Sequence, residues 1–116
     1  MKTLILMRHA KAEAWSGAMT DFHRHLTEKG KSDAKQMAEK LKNRIEEPFL
    51  IISSKAIRAK QTAEEIARTL SYPIKEIQFD EYLFEELTPK YFFKLLHDIS
   101  NRYITTIVIG HNPWIS

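Results

Sequence analysis

Thr105-Thr106-Ile107-Val108-Ile109-Gly110-His111-Asn112-Pro113 is the stretch that decides how this chain folds. Its first five residues are all β-branched, which suits a pleated strand and disfavours a helix. None of the five is charged, so both faces of the strand are expected to be buried, as in a parallel sheet covered on either side. Gly110 to Pro113 then break the run with turn-forming residues.

Working outward, two more runs have this character. Thr3 to Met7 is a continuous apolar stretch, and Phe49 to Ser53 is another. Helical patterns separate the strands. Thr27 is a plausible N-cap for a helix reaching about Arg44, with Ala34, Met37, Ala38, Leu41 and Ile45 on one face. Ser53 or Ser54 can cap a second helix from about Ala56 to Leu70. Its inner face is Ala59, Thr62, Ala63, Ile66, Ala67 and Leu70, and Pro73 ends that segment. Glu76 to Phe79 reads as a weaker strand. Thr88 and Pro89 open a third helix reaching about Ser100, with Phe92, Leu95, Leu96 and Ile99 facing the core. Residues 10 to 26 show no periodicity and read as a long loop. Strands alternating with helices predict an α/β fold: a three-layer α/β/α sandwich with a mostly parallel sheet.

Composition narrows the function classes. The chain has 116 residues, 43% of them hydrophobic and 28% charged, which fits one globular domain spanning residues 1–116. There is no cysteine, so disulfides, thiolate metal sites and thiol catalysis are excluded. The apolar run Leu4 to Met7 is cut by Arg8 and His9, too early for an export signal, and no apolar stretch is long enough to span a bilayer. The expectation is a cytoplasmic protein with no membrane association. The net charge of +3 comes from lysines interleaved with acids, not from a basic stripe carrying aromatics, so no nucleic-acid partner is expected.

In parallel α/β sheets ligands bind beyond the carboxyl ends of the strands. Here Arg8 and His9 follow the first strand. Lys55 follows the second, with Arg58 one turn into the helix behind it, and His111 follows the last. Two guanidinium groups and two imidazoles are thus aimed at one edge of the sheet. A phosphoryl group carries about two negative charges at neutral pH, and arginine forks match its oxygens. A neutral imidazole can attack phosphorus, dividing one hard step into two. Arg24-His25 repeats the Arg-His dipeptide without following a strand, so placement carries the signal and not the dipeptide. His23 and His25 lie on a loop without cysteine or a clear carboxylate partner, and no metal is expected there. Lys11 suits either a pocket mouth or a solvated loop. Trp15 reads as a core cap sooner than a substrate wall, and the aromatics from Tyr82 to Phe93 read as core.

Three segments resemble the motifs of the histidine phosphatase superfamily. They are Arg8-His9-Ala10-Lys11-Ala12 after the first strand, Ser53-Ser54-Lys55-Ala56-Ile57-Arg58-Ala59-Lys60-Gln61-Thr62, and Gly110-His111-Asn112-Pro113. Arg24-His25-Leu26-Thr27-Glu28-Lys29-Gly30 is similar to the stretch that leads into that family's first helix. The Arg-His-Ala-Lys form and the lack of insertions resemble the SixA-type phosphohistidine phosphatase branch. The resemblance implies a phosphoglycerate mutase-like fold and His9 as the phosphorylated nucleophile. It further implies Arg8, Arg58 and His111 as phosphate ligands, and no metal or cofactor. A general acid is implied among Glu85 and Glu86, with Glu85 preferred, although that branch is known for a simpler site. The implied partner is a phosphohistidine protein. Alternatives are a small-molecule phosphomonoesterase of the same superfamily, or a phosphate-binding domain without catalysis. Relatives continue with a further helix and strand where this chain ends at Ser116. The expectation is therefore a fragment, or a homo-oligomer that covers the shortened C-terminal edge.

Overall fold

The computed structural model describes residues 3–8, 26–80, 94, 97 and 102–110. The β-branched run forms a strand over Thr105–Gly110, and all six of its residues are buried. Thr3–Arg8 forms β1, Phe49–Ser54 forms β2, Gln78–Asp80 forms β3, and the run just described is β4. They make one four-stranded sheet in the order β1-β4-β2-β3, and every pairing is parallel. Burial follows from this order, because β4 is flanked on both sides.

The helices are α1, Glu28–Leu41, and α2, Ile57–Thr69. The Thr27 side-chain oxygen accepts the Gly30 N–H at 2.9 Å, which makes it the N-cap the sequence predicts. Removing one such cap costs about 1 kcal/mol. Thr27→Ala is expected to lower Tm by about 4 °C in a thermal melt, whereas Thr27→Ser should hold it. Small residues then let the helices approach the sheet and each other. Gly30, Ala34 and Ala38 recur every fourth residue on α1, and Ala59, Ala63 and Ala67 do so on α2; all six are buried. The core gathers Ala38, Ala59, Ala63 and Ala67 with Ile66 of α2, Ile77, Ile51 of β2, and Ile107 and Ile109 of β4. Ile5, Met7, Phe49 and Tyr72 pack against it, with the Phe49 and Tyr72 rings 5.2 Å apart. Leu50, Ile52 and Val108 alternate with the β2 and β4 residues of this core, so they lie on the opposite face of the sheet, where they are also buried.

Four details differ from the reading of the sequence. Met37 is 46% exposed, because the stripe of α1 that meets the core is Gly30-Ala34-Ala38, one position round from it. The α1 helix stops at Leu41, and the Arg44 N–H turns back onto the Leu41 carbonyl. Glu76 belongs to a 3-10 turn, Ile74–Glu76, and not to a strand: Pro73 starts the turn and its carbonyl accepts the Glu76 N–H at 2.9 Å. Neither Ser53 nor Ser54 caps α2, whose N-cap is Ala56 without a side-chain bond. The helix read over residues 88–100 lies outside the described residues except for Lys94 and His97, both helical and exposed.

Candidate functional site

Strand register sets the geometry of the carboxyl edge. Arg8 pairs with Gly110 across β1 and β4, Ser53 pairs with Ile109 across β2 and β4, and Ser54 pairs with Asp80 across β2 and β3. One rung therefore runs Arg8, Gly110, Ser54, Asp80. Neighbouring strands lie about 4.8 Å apart, so Arg8 and Ser54 bracket a span of about 10 Å. His9 and His111 are the residues that follow Arg8 and Gly110 in the chain. Both lie outside the described residues, as do Glu85, Glu86, Lys11, Trp15, His23 and His25. Of the five site residues read from the sequence, Arg58 is described in full and Arg8 by its place in β1.

Arg58 stands in the first turn of α2, directly after the tight connection from β2. That connection is held by two buried hydroxyls. Ser53 Oγ donates to the Ser54 carbonyl at 2.9 Å, and Ser54 Oγ accepts the Ala56 N–H at 3.1 Å. The sequence reading gave these serines to the helix cap, whereas their bonds instead fix the turn that launches α2 from the end of β2. The Arg58 carbonyl accepts the Thr62 hydroxyl at 2.8 Å, which ties the first turn of the helix to the next. Arg58 is 3% exposed. Lys55, in the connection itself, is exposed. The helix N-terminus faces the same edge, and its first N–H groups favour an anion there. This edge thus carries buried Arg58 in the first turn of a helix and, on β1, Arg8 at a strand end.

One contact had no sequence signal. The Gln61 carbonyl oxygen accepts the Leu26 N–H at 2.7 Å, across 35 positions of chain. Leu26 is buried and immediately precedes the Thr27 cap. Gln61 thus fastens the start of α1 to α2 one turn beyond Arg58. Nothing local to Gln61 or to Leu26 announces the pairing.

Two open hollows, of about 460 and 500 Å³, lie at the other end of the sheet and share Pro48, Phe49 and Tyr72 as a wall. They flank the amino ends of β2 and β4, away from the rung just described. Burial pushes the Tyr72 phenol up from its ordinary pKa. Among the described residues no group of three or more His, Asp or Glu side chains is placed to hold a metal ion. No described helix is long and apolar enough to cross a membrane.

The sequence model described as histidine phosphatase superfamily (branch 1) matches residues 4–103. A crystal structure from Agrobacterium tumefaciens, designated a phosphohistidine phosphatase SixA, is 28% identical with a TM-score of 0.82. The match covers 97% of this chain and 71% of that one. A structure of the protein histidine phosphatase SixA complexed with tungstate is 27% identical, with a TM-score of 0.80 over 95% of this chain and 69% of that one. An Entamoeba histolytica phosphoserine phosphatase mutant, bound to phosphoserine, is 21% identical with a TM-score of 0.72. The match covers 99% of this chain and 76% of that one, and it shows likeness of fold alone. No protein of curated function matches the sequence.

Proposed function

Because the chain belongs to the histidine phosphatase superfamily (branch 1), we propose that it removes phosphoryl groups from phosphohistidine on proteins, with His9 as the nucleophile. Its parallel sheet and helices have the phosphoglycerate mutase-like architecture of that superfamily. The observation that carries the proposal is the rung at the carboxyl edge. It sets Arg8 beside Gly110, one residue before each of the two motif histidines, and Arg58 is buried in the first turn beyond its third member, Ser54.

In the proposed reaction the neutral His9 imidazole attacks phosphorus in line with the leaving group. A nitrogen–phosphorus bond forms to His9 as the bond to the substrate imidazole breaks. Arg8, Arg58 and His111 hold the three equatorial oxygens and balance their charge. The leaving imidazole needs little help from an acid, so Glu85, or water in its place, need supply only one proton. Water then attacks phosphorus, inorganic phosphate departs, and His9 is restored. No metal or cofactor enters either step. The setting proposed for this work is the cytoplasm.

Phosphohistidine is preferred over a phosphate ester because the structures that are 27 and 28% identical both carry the SixA name. The test is a panel of substrates compared by kcat/KM. A histidine-phosphorylated protein, prepared with phosphoramidate, should be turned over at least about tenfold better than phosphoserine, sugar phosphates or p-nitrophenyl phosphate. Better turnover of one small ester would replace the protein substrate with a metabolite. Binding of phosphate without turnover of any substrate would leave a phosphate-binding domain.

A further inference from the structure

Ser54 ends β2 in the middle of the carboxyl edge, and it is 0% exposed. A hydroxyl buried there is unfavourable unless it is bonded, whereas an apolar side chain of that size carries no such cost. What its bonds hold is one residue. The Ser54 carbonyl, which accepts the Ser53 hydroxyl at 2.9 Å, belongs to the peptide plane that precedes Lys55. The Ala56 N–H, which Ser54 Oγ accepts at 3.1 Å, belongs to the plane that follows it. Between two peptide planes the chain has only the φ and ψ of the residue they share. The exposed Lys55 is therefore set from the buried side, by the serines before it. Ala56 is buried as well, so its N–H cannot turn to bulk water if the Ser54 oxygen is removed.

The direction of Lys55 decides where Arg58 stands. Ala56 is the N-cap of α2, and Arg58 follows two residues later in the first turn, 3% exposed. The Thr62 hydroxyl on the Arg58 carbonyl, at 2.8 Å, joins that turn to the next, so the start of the helix moves as a unit. A change at Lys55 would swing this unit against the rung that holds Arg8 and Gly110. Charge-assisted bonds to phosphoryl oxygens are short, and a displacement of about 1 Å costs a reaction about a hundredfold.

We infer that Ser54 is a positioning residue for the phosphoryl grip of Arg58. It acts through Arg58 and not on the substrate, by fixing the joint at Lys55 from which α2 leaves the sheet. This rests on the phosphatase reading above and adds to it the group that aims the arginine. Functional side chains need neighbours that lock their geometry, and a bonded serine does this at a buried place that alanine would fill without any polar group to satisfy.

A double-mutant cycle tests it. Ser54→Ala, Arg58→Ala and the pair are compared with wild type, each well below its own Tm. Two quantities are measured: kcat/KM on a histidine-phosphorylated protein prepared with phosphoramidate, and the Kd of inorganic phosphate by calorimetry. Ser54→Cys gives a second removal of the bond at nearly the same volume, since a thiol accepts only weakly. The expected result is that Ser54→Ala and Ser54→Cys each lower kcat/KM about tenfold and weaken phosphate binding to a similar extent. With Arg58 already replaced, Ser54→Ala should change neither by more than about twofold, because a residue acting through another has nothing left to act on. The same loss in both backgrounds would place the effect of Ser54 elsewhere and overturn the inference. A lower Tm with kcat/KM and phosphate affinity unchanged would make Ser54 a residue of the fold alone and overturn it too. Phosphate affinity is read independently of turnover. A wild type that binds phosphate but turns over no substrate would therefore end the phosphatase reading and still decide the role of Ser54.

Discussion

Replacing Arg58 with alanine is expected to lower kcat/KM for every phosphorylated substrate by about a thousandfold. Arg58 is fixed before the substrate arrives. The turn from β2 is pinned by the hydroxyls of Ser53 and Ser54, the helix begins at Ile57, and the Arg58 side chain is buried in its first turn. In the proposed site a guanidinium held in this way would make two charge-assisted bonds to phosphoryl oxygens. Each is worth about 2 kcal/mol, and roughly 4 kcal/mol converts to that factor. Arg58→Lys should recover only part of the loss, leaving a deficit of about fiftyfold, since an ammonium keeps the charge but not the fork. Steady-state kinetics on a phosphohistidine protein and on p-nitrophenyl phosphate measure both variants, and a thermal melt confirms that they remain folded. A loss smaller than threefold in Arg58→Ala would take Arg58 out of the site.

His9→Ala should have the larger effect, about ten-thousandfold on kcat. In the proposed reaction Arg58 contributes binding that strengthens as charge develops, whereas His9 supplies the route itself. Without the imidazole no covalent intermediate forms. What remains is the stabilisation that Arg8, Arg58 and His111 give to direct attack by water, and residual rates of that kind persist when a nucleophile is removed. Substrate affinity should survive, because the anion-binding groups are untouched, so the loss should fall on kcat with KM within a fewfold of wild type. His25→Ala is the matched control. It sits in the same Arg-His dipeptide without a preceding strand, and its turnover should equal that of wild type.

Much of the scaffold was legible because buried strands have an unmistakable composition. Phe49–Ser54 and Thr105–Gly110 were read to within one residue, the second because five β-branched residues in sequence disfavour a helix and the first because it is a short apolar run between polar residues. The inner face of α2 was also readable, because Ala59, Ala63, Ile66 and Ala67 keep helical spacing without interruption. Errors came where two signals competed. Met37 is apolar at a position on the margin of the α1 stripe, and hydrophobicity alone cannot tell margin from centre. Lys42, Asn43 and Arg44 extend a helical charge pattern that a backbone turn cuts short.

The sequence offers the candidate site as a list of residues and not as an arrangement. Strand composition said that Arg8, Arg58 and the residue after Gly110 would share one edge. It said nothing of the order β1-β4-β2-β3, which puts Arg8 and Gly110 side by side on one rung. Strand order depends on long-range pairing that no window of sequence contains. The same holds for the Gln61 bond to Leu26, whose partners become neighbours only when α1 and α2 have packed.

The central claim is that phosphate passes through His9. Rapid quenching of the protein with a radiolabelled substrate, followed by peptide mapping, tests it most directly. The predicted result is label on the peptide carrying His9, lost in acid and retained in alkali, at a level that rises and decays within one turnover. Label on the peptide carrying His25, acid-stable label, or full turnover without any labelled protein would contradict it.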